Sequence, residues 1–185
     1  MPVQITNPNV LLVEGDDDVR FFRAFLTRTG LSGYDVFKTE GKTLFRNSLR
    51  ALANAPGFEE VTGLAIARDA DDNAQAAFQA VRDALLAVGL PAPSRPFLVE
   101  DGKPRTLVLV IAGSGGKGSI EDLCLDSVQN DPCIACVEAY FRCLSQTGVP
   151  TQPAHMAGSC PSVPGFTAKA GLTRWGSCRG GVLAL

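Results

Sequence analysis

Short apolar runs, each cut off by a charged or glycine-containing turn, alternate along this chain with longer stretches whose apolar residues recur every three or four positions. "NVLLV" at 9–13, between Asn-Pro-Asn and Glu-Gly, has the continuous apolar character of a strand buried on both faces. "YDVFK" at 34–38 is a second strand, and "TGLAIA" at 62–67, running into "RDADDN", is a third. Further on, "RPFLVEDGKPRTLVLVIA" predicts a hairpin: an arm at 97–100, a turn at Asp101-Gly102 and a strand at 106–112.

Between these runs the period changes to that of a helix. "DDDVRFFRAFLTRTG" opens with acids that suit the positive end of a helix dipole. It presents Val19, Phe22, Phe25 and Leu26 as its apolar face and stops at Gly30. "KTLFRNSLRALANAPG" predicts a helix ending at Pro56-Gly57, and "AQAAFQAVRDALLAVG" another, with Phe78, Val81, Leu85 and Val88 inward and Gly89 closing it. A glycine-rich loop, "GSGGKGS", then leads into a helix for which Ser119 and Asp122 form a capping box. Strands and helices alternating at these lengths predict an α/β domain: a doubly wound, mainly parallel sheet flanked by helices on both sides. In such sheets functional groups collect at the carboxyl ends of the strands.

With 185 residues, 45% of them hydrophobic and 19% charged, the chain fills one ordinary core. The expected organisation is an α/β domain over residues 1–146 and an irregular tail over 147–185, rich in Gly, Pro, Ser and Cys. From Ala139 onward there is no acidic residue, whereas Arg142, Lys169, Arg174 and Arg179 are basic. The net charge of −2 argues against a broad basic surface holding duplex DNA by counterion release alone, so a nucleic-acid partner requires metal ions or local patches. No apolar run approaches the roughly 20 residues of a membrane-spanning helix, and "MPVQITNPN" lacks a signal core. The expectation is a cytoplasmic protein with no membrane partner. Among the six cysteines, Cys133 and Cys136 make one CxxC, with no second pair at finger-like spacing, and His155 is the single histidine. Buried free thiols are expected in place of a zinc site.

Carboxylates at strand ends change the picture. Glu14 follows "LLV" directly, while Asp69 and Asp71 follow "LAIA" at i, i+2, a spacing that in extended chain aims both side chains one way. Clustered negative charge is costly unless a cation neutralises it, and Mg²⁺ suits one or two carboxylates while keeping positions for water and phosphate. Acids after strands also cap helices, and Asp16, Asp17, Asp72 and Asn73 are read that way.

"LLVEGDDDVRFF", "LAIARDADDN" and "GSGGKGSIEDLCLD" together resemble the TOPRIM fold, the catalytic module of type IA and type II topoisomerases, bacterial primases, recombination mediators and OLD-family nucleases. The likeness covers about residues 8–145 and is nearest to small stand-alone TOPRIM-like bacterial proteins of unassigned function. It implies Glu14 as general acid/base or ligand, and Asp69 and Asp71 as ligands of Mg²⁺, with Mn²⁺ as substitute. Glu121 resembles an acid that OLD-like nucleases use for a second metal. Lys117 and Lys42 are candidate phosphate contacts. "GSGGKGS" is not a P-loop, because Lys117 is followed by Gly118 where Ser or Thr is required. Arg68 departs from the family, which usually has an apolar strand residue there.

Three functions follow as expectations: nuclease-like, Mg²⁺-dependent phosphodiester chemistry on DNA or RNA; a non-catalytic TOPRIM-like module binding nucleic acid or protein; and a small-molecule phosphohydrolase. The last normally carries its nucleophilic Asp at the first strand, where this chain has Glu14.

Overall fold

Strand residues alternate between two faces, and where both faces are covered, as in the segment 9–13, successive positions are apolar. The computed structural model describes residues 4–39, 45–113 and 115–147. Its strands β1 (Asn9–Val13), β2 (Tyr34–Lys38), β3 (Gly63–Asp69), β4 (Val99–Glu100) and β5 (Arg105–Ile111) form one sheet in the order β2-β1-β3-β5-β4. Pairing is parallel except for β4 against β5. The helices are α1 (Asp16–Arg28), α2 (Phe45–Ala53), α3 (Ala74–Ala87), α4 (Ile120–Ser127) and α5 (Pro132–Gln146).

Val10, Leu12, Leu64, Ile66, Val108 and Val110 pack on one side with Leu49 of α2 and Phe78 and Val81 of α3. Leu11, Val13, Val36 and Ala67 pack on the other with Phe22 of α1 and Ile120 of α4. The fold is thus the expected α/β class, a mostly parallel sheet with helices on both faces.

Several boundaries differ from expectation for physical reasons. β3 runs two residues past Ala67, because its parallel ladder with β5 continues through Arg68↔Val110 and Asp69↔Ile111. Asp69 is therefore the last residue of the strand and not the first of a loop. The arm expected at 97–100 shortens to Val99–Glu100, since Phe97 takes a positive φ of 61° that no strand continues through. Phe25, expected on the buried face of α1, is 49% exposed and stacks on Phe21. Three residues advance the helix by about 300°, which brings Phe25 to the rim of the face that Phe22 centres.

The cysteine expectation is also corrected. Cys124, Cys133, Cys136 and Cys143 are free, as expected, but all four are exposed. α5, which carries three of them, buries none of its residues, so no packed face receives the thiols. The chain divides into two units, Met1–Val137 and Glu138–Leu185, and of the second the structure describes only 138–147. Lys42 lies outside the described residues, as do His155, Cys160, Cys178 and the rest of the expected irregular tail from 148 onward. No helix among the described residues is long and apolar enough to cross a membrane.

A polar clasp holds the segment before β1. The Asp35 carboxylate on β2 accepts from Thr6 N–H at 2.6 Å, Asn7 N–H at 2.9 Å and Asn7 Nδ2 at 2.8 Å. Partial burial raises its pKa, but these donors more than offset that and the net shift is downward. A depressed folded pKa contributes stability that is present above the unfolded value and lost as pH falls through the folded one. Asp35→Ala is expected to cost about 1 kcal/mol at neutral pH, a modest value because the group is partly exposed. Urea titrations at pH 7 and at successively lower pH check this, since the difference from wild type should shrink as pH falls through the folded pKa.

Candidate functional site

Parallel pairing brings the carboxyl ends of β1, β3 and β5 to one edge of the sheet. Leu12 pairs with Ile66, so Glu14 leaves β1 level with Arg68, one residue short of Asp69. Two helices start at that edge. α1 is preceded by Gly15, whose N–H donates to Asp18 Oδ2 at 2.8 Å; α4 is preceded by Ser119, whose N–H donates to Asp122 Oδ2 at 2.8 Å. Each helix is opened by an acid three residues into it, which satisfies one of the N–H groups a helix start leaves over. Asp69 Oδ1 accepts from Ile120 N–H at 3.2 Å and so ties the end of β3 to the first turn of α4. Next to it, Ser119 Oγ donates to Glu121 Oε2 at 2.6 Å.

The electrostatic result is a carboxylate cluster of Glu14, Asp18, Asp69 and Glu121. Withdrawal from water raises the Asp69 carboxyl most, and the charges of Asp18, Glu14 and Glu121 raise it further. The Ile120 N–H opposes them, and the balance lies at about 7. Burial likewise raises Asp18, with Glu121 and Asp17 adding to it, against the pull of the Gly15 hydrogen bond. Near neutral pH, then, Asp69 retains a proton for part of the time unless a cation replaces it.

All four donors are hard oxygens, the set that Mg²⁺ and Mn²⁺ prefer, and the accumulated charge is what a divalent ion relieves. In donor chemistry and charge the residues fit such an ion. Among the described residues no three His, Cys, Asp or Glu side chains are grouped closely enough to hold a metal. Asp18 and Asp69 are engaged with backbone N–H groups and Glu121 with Ser119.

The sequence-predicted residues divide accordingly. Glu14 and Glu121 both raise Asp69 through their charges. Asp71 is exposed. Its φ of 48° breaks the extended alternation on which the i, i+2 reading depends. Its backbone instead exchanges two hydrogen bonds with Gly118, Asp71 N–H to Gly118 O at 2.9 Å and Gly118 N–H to Asp71 O at 2.7 Å. The fourth carboxylate is Asp18, which sequence reasoning passed over as one of three helix-start acids. Its neighbours Asp16 and Asp17 are the surface ones, paired with Lys38 at 2.8 Å and Arg20 at 2.7 Å. The available signal was position: the third helical residue faces back over the cap toward the strand ends.

Several N–H groups of the glycine-rich loop are already engaged within the protein. The N–H groups of Gly113, Gly116 and Gly118 bond to Lys117 O, Gly113 O and Asp71 O, and those of Ser119 and Ile120 to Asp122 and Asp69. Lys117 itself is exposed on that loop. Arg68 leaves β3 on the face opposite Asp69, with its guanidinium 5.7 Å from the centroid of the Phe45 ring.

A family model described as "Protein of unknown function (DUF3226)" matches residues 8–157, a span that contains every strand and helix described above. No curated protein matches the chain.

Proposed function

The chain belongs to the DUF3226 family, and on that premise we propose that it performs Mg²⁺-dependent phosphodiester chemistry on nucleic acid, as a nuclease-like protein of TOPRIM-like fold. The observation that carries this reading is the carboxylate cluster at the strand edge, with Asp69 raised to about 7 by burial and by three neighbouring acids. Carboxylates gathered at such a cost in repulsion have a use when a cation and an anionic substrate share the site.

Asp69, Asp18 and Glu121 are the residues that would hold the ion. When bound, the ion supplies charge stabilisation to the transferring phosphoryl group. Glu14, at the end of β1, is the general acid/base for the phosphodiester oxygen. Asp69 gives up its proton as the ion is taken up, so loading releases a proton and strengthens as pH rises through about 7.

Incubation of the purified protein with single-stranded, duplex and nicked DNA and with RNA, in Mg²⁺ or Mn²⁺, tests the reading. Cleavage is expected from wild type and not from Glu14→Gln or Asp69→Asn. Activity that survives both substitutions overturns it. Salt-sensitive binding without cleavage supports the non-catalytic module instead.

A further inference from the structure

We propose that Arg68 is a substrate-phosphate residue, which takes the phosphate next to the reacting one on a single nucleic-acid strand laid across the strand edge. This rests on the nucleic-acid reading above.

Leu64 and Ile66 belong to the cluster that faces α2 and α3, and Arg68 is the next residue of that row. Its guanidinium lies against Phe45, the first residue of α2, yet its Nε is buried and has no hydrogen-bond acceptor among the described residues. Burying a guanidinium N–H without a partner is costly, and the stacked ring satisfies the charge but not the donor. Neither salt bridge of the described residues involves Arg68; they join Arg20 to Asp17 and Lys38 to Asp16.

The surroundings add positive potential. α1 and α4 carry acids in their first turns, whereas the first turn of α2 has none and holds the exposed Arg46. A cation at the positive end of a helix is unfavourable unless an anion joins them. Across the thickness of one strand the edge therefore changes sign, from the carboxylates around Asp69 to Arg68 and Arg46. A strand with one phosphate over the acids, by way of a cation, and the next over Arg68 matches that change, and the planar fork suits a phosphate bidentately. A lone phosphate uses only one half.

The test is fluorescence anisotropy of a labelled single-stranded oligonucleotide in Ca²⁺, across a salt series, with thermal melts to verify folding. Arg68→Gln is expected to weaken binding about tenfold and to reduce the salt slope by about 0.7, the share of one phosphate contact on a single strand. Arg68→Lys should retain the slope and lose part of the affinity, and Arg46→Gln, at an exposed position, should lower the slope with folding intact. Inorganic phosphate should compete only weakly. The inference is overturned by a wild type that binds no oligonucleotide, by a folded Arg68→Gln with wild-type affinity and slope, or, where Arg68→Gln does not fold, by an unchanged slope in Arg46→Gln. Binding that follows the expected pattern without any Mg²⁺-dependent cleavage sinks the proposed reaction and leaves this assignment standing.

Discussion

Asp69→Asn is expected to melt several degrees above the wild type at pH 8 while losing Mg²⁺-dependent cleavage by about 100-fold or more. Asp69 has a folded pKa of about 7 against an ordinary value of 3.8. As pH rises between these values the unfolded chain releases its proton first, so the folded state binds more protons and stability falls. The full penalty is present above about 7, and none remains below the unfolded value, where both states are protonated. Three pKa units correspond to about 4 kcal/mol, and water around a partly exposed carboxylate reduces that to about 2 kcal/mol. For a chain of this size that is about 4–8 °C. Asn has no charge to lose and keeps an oxygen for the Ile120 N–H, so its melting temperature should depend less on pH. Melts from pH 4 to 8 check this, and parallel curves for the two proteins refute it. Saturating Mg²⁺ at pH 8 should raise the wild type and leave Asp69→Asn unmoved, because only an ion bound to the native cluster stabilises it.

Gly118→Ala is expected to cost about 2–4 kcal/mol, through strain at positive φ and loss of a helix cap. Gly118 has φ +105°, a region that side chains rarely enter, and an added Cβ would come within 2.9 Å of Asp122 Cγ. Asp122 would have to leave the Ser119 N–H that opens α4. That helix carries the Ile120 N–H on Asp69 and the Glu121 charge, so activity should fall with stability. Gly116→Ala is the control. Its φ is +71°, but nothing lies within 4 Å of the added carbon, and only left-handed strain of about 1 kcal/mol applies. Urea titration of both variants compares them; equal costs would show that the approach to Asp122 carries no weight.

Much of the frame was readable in the chain itself. β1 and β2 fall on the predicted residues; β1, buried at four of its five positions, is covered on both sides and must be apolar in succession whatever its partners are. Glu14 and Asp69 were readable for a related reason, as charges placed where apolar runs stop. Exposure of Phe25 and of the four described cysteines was not readable, since apolar spacing shows what a helix offers and not what covers it.

By itself, then, the sequence determined the order of strands and helices, the α/β class and the edge at which carboxylates gather, all of which follow from local periodicity. Tertiary structure decided which carboxylates feel one another's charge. The parallel register of β1 and β3 sets Glu14 near Asp69, and the starts of α1 and α4 add Asp18 and Glu121. The left-handed turn tied to Gly118 takes Asp71 off the extended course of β3 and leaves it exposed. Charge acts through distance in space, and distance between segments is set by pairing and packing that no single segment contains.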